Sequence, residues 1–518
     1  MGLKLPLKLN VCELSMNYLA ILRYNGRFAI AILNFGRDNL RIQGDSGIHM
    51  KTRFAPSPTG LMHLGNVRTA LFSALLAHSE SEGRFVLRIE DTDEERSELQ
   101  YVDAVQEDLQ WLGIQWEEGP EVNGEYGPYF QSERHDLYNG YYQQLIDKKL
   151  AYPCFCSESK LEMVRKAQRA AGQPPRYPGT CRSLSAEEVA AKFAEGQKAS
   201  LRFSLPRGET IDFTDAVKGL QRFNSDDIGD FIIRRSNGTP SFMFCNAIDD
   251  SLMKVTHVLR GEDHLTNSPR QLMILKALGL PELTYGHISM ITSKEGNKLS
   301  KREGSFSIRD LREDGYLPEA VVNYMARLGH YFGDLGFSSI NELAKNFKIA
   351  SLSKSAARYD EEQLKYWQKE AVLHIDAETL WQWMGQEVHD RVPASQKQLF
   401  IDTVRPNIVF PKDALELVQM LFQGVSLEET EKNVLAEAGI DFFKAAVSCA
   451  EAGDGTWKNL TSGIKEQTGV KGKKLFQPLR VALTGQWHGP ELGPVVSLLG
   501  KEQLISRLMD AVKLIEGA

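Results

Sequence analysis

Cysteine is scarce in this chain, with six residues among 518. So few thiols build no disulfide framework and point to a reducing compartment, the cytoplasm. No apolar run is long enough to span a bilayer, so no membrane partnership is expected. The formal charge of -7 lacks the basic excess of a protein that coats nucleic acid indiscriminately, because such binding is driven by counterion release from many cations. A selective RNA partner held by local basic patches is compatible with it. Internal repeats and low-complexity tracts are missing. So are two common answers to phosphate binding: neither Gly-x-x-x-x-Gly-Lys-Ser/Thr nor Gly-x-Gly-x-x-Gly occurs. With 42% hydrophobic and 25% charged residues the composition is that of a globular protein, and the length predicts several domains, each with its own core.

What is present is a different phosphate cradle. Arg53-Phe54-Ala55-Pro56-Ser57-Pro58-Thr59-Gly60-Leu61-Met62-His63-Leu64-Gly65-Asn66 reads as a short strand and a Pro-broken turn. A helix follows through Val67, Ala70, Leu71, Ala74 and Leu75, whose spacing buries one face. His63, Gly65 and Asn66 then sit at its start, where unpaired N–H donors and the positive end of the helix dipole favour a phosphate. Gly65 leaves room for a purine ring against the backbone. Far downstream, Lys298-Leu299-Ser300-Lys301-Arg302 crowds three cations between Gly296 and Gly304, a pattern suited to a mobile loop closing over polyphosphate.

These two segments resemble the HIGH and KMSKS signatures of class I aminoacyl-tRNA synthetases, here His-Leu-Gly-Asn and Lys-Leu-Ser-Lys-Arg. The run from Arg53 through Gly60, Arg88-Ile89-Glu90-Asp91-Thr92-Asp93, Val258-Leu259-Arg260-Gly261-Glu262-Asp263-His264, Lys473-Lys474-Leu475-Phe476 and Gly489-Pro490-Glu491-Leu492-Gly493 narrow the resemblance to bacterial-type glutamyl-tRNA synthetases. It extends from about residue 50 to the end. The resemblance implies ATP with Mg²⁺ as substrate, L-glutamate and tRNA(Glu) as the other partners, and a monomer. Whether tRNA(Gln) is also charged stays open. His63, Lys298 and Lys301 are the implied catalytic residues. ATP is expected on His63, Gly65, Asn66, Asp263, Lys298, Ser300 and Lys301, and glutamate on Arg53, Ser57, Glu90, Asn246 and Arg260.

Charge supports the amino-acid pocket independently: a side-chain carboxylate needs guanidinium forks, and Arg53 and Arg260 fall at strand ends. Glu90 takes the ammonium. The competing explanation for each arginine is an ion pair with Asp91, Asp93 or Asp263. The family places a Tyr hydroxyl four residues before the Asn; here that residue is Phe242. Two other readings are a shorter relative that glutamylates a modified tRNA base and a catalytically silent RNA-binding paralogue. The first lacks the helical tail and the lysine loop, and His63, Lys298 and Lys301 speak against the second.

The periodicity predicts α/β architecture with a Rossmann-like parallel sheet split by an inserted acceptor-binding domain and followed by an all-α anticodon-binding region. Strands are expected at 85–89, 230–234, 241–246, 255–259 and 285–291, and helices at 102–112, 138–148 and 269–278. From residue 311 strands disappear. The expected domains are the catalytic halves 50–149 and 230–310, the insertion 150–229, a helical stem-contact domain 311–372 and an anticodon-binding domain 373–518. Lys471, Lys473, Lys474 and Arg480 around Phe476 suit an RNA loop by charge and stacking.

In the insertion, Cys154, Cys156 and Cys181 flank a helix-like basic segment. A structural zinc wants four closed ligands, and three reduced, partly buried thiols are the alternative. Some relatives close this site with a His two residues after the last Cys, where this chain has Ser183. A related tRNA-modifying enzyme uses Tyr-x-x-x-Cys, which Tyr177 and Cys181 match, so the resemblance implies zinc on Cys154, Cys156, Tyr177 and Cys181. Residues 1–49 precede the resemblance and read as basic and irregular, which fits translation from an upstream start with Met50 as the natural one. A transit peptide is the alternative, opposed by Glu13, Asp38 and the apolar stretch 28–35.

Overall fold

The computed structural model describes residues 49–92, 97–297, 299 and 307–517, together with the backbone of three strands before residue 34. Lys298, Ser300, Lys301 and Arg302, and also Asp93, lie outside the described residues. The three early strands, Asn10–Leu14, Asn17–Tyr24 and Arg27–Leu33, pair as an antiparallel meander, a correction to the irregular reading of residues 1–49.

The central sheet is assembled from two distant parts of the chain. Lys51–Phe54 runs parallel to Arg84–Leu87, and His257–Gly261 runs parallel to Thr284–Ile288. Thr256 joins the two pairs: its N–H donates to the Lys51 carbonyl at 2.8 Å, and its hydroxyl accepts from the Lys51 N–H at 2.9 Å. Every residue of Lys51–Phe54 is buried, as in a parallel sheet covered on both faces. Of its polar residues, Lys51 is matched by Glu118, 2.6 Å away, and by the Met253 carbonyl at 3.0 Å. Helix Leu64–Ala77 covers one face; most of its buried residues are Ala and Leu, good helix formers, with Val67 and Phe72 among them.

Two expected strands are corrected. Residues 241–246 open the helix Phe242–Leu252. That helix is buried all round from Phe244 to Ser251, so its apolar run lacks the periodicity that separates a buried helix from a buried strand. Phe231–Arg234 is a strand but does not rejoin the parallel sheet. It pairs antiparallel with Ser200–Phe203, which in turn pairs with Ala151–Cys154. A separate hairpin, Thr210–Asp215 with Gly219–Asn224, completes this part.

Beyond Ile308 the chain is helical, with one exception to the expectation that strands disappear: Ala357–Arg358 adds a short parallel partner to Ile291–Thr292. From Glu361 to Glu516 the helices enclose their own core around Phe400, Phe443, Leu475 and Leu504. No helix among the described residues is long and apolar enough to cross a membrane.

Candidate active site

At the carboxyl ends of the parallel strands lies a cavity of about 510 Å³, the position where open α/β sheets bind ligands. It gathers every predicted glutamate residue: Arg53, Ser57, Glu90, Asn246 and Arg260. It also gathers the described nucleotide candidates His63, Gly65, Asn66 and Asp263, with Leu299 from the lysine segment on its wall. His63 occupies the N-cap of helix Leu64–Ala77 with extended backbone and makes no capping bond with its side chain. The imidazole, Gly65 and Asn66 are exposed. A Cβ built on Gly65 would meet nothing within 4 Å.

The floor is a network of buried charges. Arg53 donates from Nε to both oxygens of Asp250, at 3.2 and 3.3 Å. Arg88 donates to the same Asp250 at 2.7 Å and to Glu90 Oε1 at 3.1 Å. Burial alone would raise the Asp250 carboxyl; Arg53 and Arg88 outweigh it and hold it below its ordinary value. Burial pushes Glu90 up, against the pull of Arg88 and Arg53. Asn246 donates to Glu90 Oε1 at 2.6 Å and is itself oriented by Gln271 Nε2, 2.8 Å from its carbonyl oxygen. The ion pair foreseen as the alternative for Arg53 thus exists, but with Asp250. Asp91 instead accepts from the N–H and hydroxyl of Ser132.

Arg260 differs. It is 4% exposed, and no acid pairs with it among the described residues. Its Nε donates to His287 Nε2 at 3.2 Å and its Nη2 to Ser268 Oγ at 2.8 Å, while Nη1 has no partner among the described residues. Burial pulls its pKa down to about 10. A buried guanidinium that no described carboxylate touches has the chemistry to receive an anion. Phe242 also lines the cavity, its ring 5.2 Å from that of His264.

Sequence reasoning missed Asp250, Arg88, Gln271 and His287. The one available signal was Asp249-Asp250 within an otherwise apolar run, since acids in a core require cations beside them.

Away from the cavity, the Cys154, Cys156 and Cys181 sulfurs form one cluster. Cys156 Sγ and Cys181 Sγ are 3.7 Å apart, and Tyr177 Oη lies 3.4 Å from Cys154 Sγ and 3.6 Å from Cys156 Sγ. Burial raises the Cys154 thiol, but hydrogen bonds from Tyr177 and Arg202 bring it down to about 7.

Residues 49–366 match the family of class I tRNA synthetases (E and Q), catalytic domain, and residues 362–512 match the anticodon binding domain. The chain is 54% identical over 464 residues to glutamate–tRNA ligase 2 of Nitrosococcus oceani, covering 89% of this chain and 98% of that protein. It is 52% identical over 466 residues to glutamate–tRNA ligase 1 of Halorhodospira halophila, covering 90% and 97%. The crystal structure of a glutamate tRNA ligase from Elizabethkingia meningosepticum, in complex with its amino acid, superposes with a TM-score of 0.82 at 30% identity, over 90% of this chain and 99% of that one. A parallel sheet with ligand groups at its carboxyl edge, a separate helical core behind it, and these similarities along nearly nine-tenths of its length make this chain a member of the glutamate–tRNA ligase family of class I aminoacyl-tRNA synthetases.

Proposed function

We propose that this chain joins L-glutamate to tRNA(Glu) in two steps within the one cavity. An oxygen of the glutamate α-carboxylate attacks the α-phosphorus of ATP in line, pyrophosphate leaves with its Mg²⁺, and glutamyl-adenylate remains. The terminal ribose hydroxyl of the tRNA then attacks the activated carbonyl, and AMP leaves. No protein nucleophile takes part; catalysis is positioning and neutralisation of charge growing on phosphate oxygens.

The observation that carries this reading is Arg260, a buried guanidinium with no ion pair among the described residues, in the same cavity as the exposed start of helix Leu64–Ala77. In this reading Arg260, with Arg53 beside it, takes the substrate side-chain carboxylate. Glu90, whose Oε1 is engaged by Arg88 and Asn246, offers its other oxygen to the ammonium. Ser57 and Asn246 complete the glutamate contacts. His63, Gly65, Asn66 and Asp263 receive the nucleotide, and Lys298, Ser300 and Lys301 close over its phosphates. The domain boundaries expected from sequence belong to this proposal, except that the insertion extends through Arg234, whose strand pairs with its sheet.

The helical region supplies a matching RNA surface: a cavity of about 690 Å³ lined by Trp457, Lys473, Phe476, Arg480 and Trp487, a combination of stacking faces and cations. The reading includes a monomer in the cytoplasm, and the five described cysteines, all free, are compatible with that compartment.

A structural zinc fits the cysteine cluster. Tetrahedral Zn–S bonds of about 2.3 Å separate sulfurs by roughly 3.8 Å, close to the 3.7 Å between Cys156 and Cys181. Cys154, Cys156, Cys181 and Tyr177 would hold it, and it would tie the strand Ala151–Cys154 to the loop carrying Tyr177.

Charging assays with purified tRNA(Glu) and tRNA(Gln) test the function. Glutamylation of tRNA(Glu) is expected, the second tRNA decides how selective the enzyme is, and failure to charge either overturns the reading.

A further inference from the structure

The tip of the hairpin formed by Thr210–Asp215 and Gly219–Asn224 docks onto the parallel sheet. Ala216 donates its N–H to the Tyr285 carbonyl at 2.8 Å, and Val217 enters the catalytic core. Asp215 is buried at this tip. Its Oδ1 accepts three backbone N–H groups: Val217 at 2.9 Å, Lys218 at 2.7 Å and His287 at 3.2 Å. Its Oδ2 lies 2.5 Å from His287 Nδ1. That carboxylate fixes the imidazole proton on Nδ1, which leaves Nε2 as an acceptor. Arg260 Nε uses it, and Ser268 Oγ, which accepts from Arg260 Nη2, closes the ring 3.1 Å from the same Nε2. Arg260 also lies over the Tyr285 ring, 4.7 Å from its centroid. Its guanidinium is therefore held along two edges, with Nη1 alone unused.

We propose that His287 and Asp215 are positioning residues for the amino-acid substrate, holding the Arg260 fork so that the hairpin tip becomes a determinant of carboxylate recognition. This rests on the reading of Arg260 as the carboxylate receptor. A guanidinium on a flexible stem loses rotamer freedom when it binds; one already locked by neutral acceptors has lost it beforehand, and keeps its full charge for the ligand. A carboxylate in place of His287 would neutralise the receptor, and an apolar residue would leave Nε unsatisfied. A neutral imidazole of one tautomer avoids both faults.

Asp215→Asn tests this directly. The three backbone donors pin an oxygen at the Oδ1 position, so the amide nitrogen must face His287 Nδ1. The imidazole proton then moves to Nε2, where it confronts Arg260 Nε–H. Initial aminoacylation rates of the full chain, with glutamate and ATP varied separately, are expected to show the KM for glutamate rising about tenfold or more in Asp215→Asn. The KM for ATP should stay within about twofold. His287→Gln, which returns an acceptor near Nε2, should lose less than His287→Leu, and it carries the test if Asp215→Asn fails to fold. Arg260→Gln is the reference. If it raises the glutamate KM and the Asp215 and His287 variants do not, the relay is overturned while the receptor reading stands. If Arg260→Gln itself leaves the glutamate KM unchanged, the receptor reading fails and the relay with it. Equal rises for glutamate and ATP would assign the relay a purely structural role and overturn it.

Discussion

His63 and Ser307 form an antiparallel backbone bridge, reinforced by the Ile308 N–H donating to the Met62 carbonyl at 3.1 Å. Ser307 is thus held against the residue that opens helix Leu64–Ala77, while Leu299 sits on the cavity wall.

In the proposed reaction the lysines close over the triphosphate of ATP. Lys301→Ala is expected to lower the adenylation rate by about a hundredfold or more, as for other preorganised charge donors. Pyrophosphate exchange measures it, and an unchanged rate contradicts the role.

Gly65 faces open cavity, so packing does not require its lack of a side chain, and in the proposed reading that space takes the nucleotide. Gly65→Val should leave the thermal midpoint unchanged or higher, because glycine is a poor helix residue, while the KM for ATP rises at least about tenfold through lost van der Waals space. A normal ATP KM would mean the purine lies elsewhere.

Phe242 stands where a hydroxyl is expected in this family. Phe242→Tyr is expected to lower the glutamate KM by roughly three- to tenfold, the contribution of one hydrogen bond. Steady-state kinetics with varied glutamate check it; a higher KM would show that the pocket is shaped around the bare ring.

The cysteine cluster gives a metal prediction. Protein purified without chelators should contain about one zinc per chain, measured by elemental mass spectrometry. Cys156→Ser should lose the metal and lower the thermal midpoint. Metal-free wild-type protein would leave three reduced thiols as the explanation.

Asp250 neutralises Arg53 and Arg88 together. Asp250→Ala strands the buried Arg53 and leaves Arg88 with Glu90 at 3.1 Å, and should cost about 3–5 kcal/mol in urea unfolding. Because the Asp250 carboxyl is depressed in the folded protein, its contribution is fully present above its unfolded value of about 3.9. It is lost as pH falls below that through the folded value. The gap between wild type and variant should therefore close in strong acid and persist at neutral pH.

The legible part of this molecule was the part with local grammar. Pro56, Pro58 and Gly60 announced the turn, and the spacing of Val67, Ala70 and Leu71 announced the helix after it. Arg53, Glu90, Asn246 and Arg260 were identified through the family and do converge on one cavity. The illegible part depends on partners remote in sequence. Asp250 reads as one more acid until the fold places it under two arginines, and Asp215 reads as part of an exposed hairpin until its tip meets His287. The helix Phe242–Leu252 was hidden because complete burial erases the contrast between its faces.

Because Asp250 lies far beyond Arg53 and Arg88 in the chain, a protein still emerging from the ribosome exposes both guanidinium groups before their shared counter-ion exists. The amino-terminal half cannot seal its core around them at that stage without stranding charge, so docking of the later half completes the binding pocket and consolidates the domain in the same event. A carboxy-terminal truncation before residue 250 should consequently yield an open, protease-sensitive intermediate instead of a smaller folded enzyme.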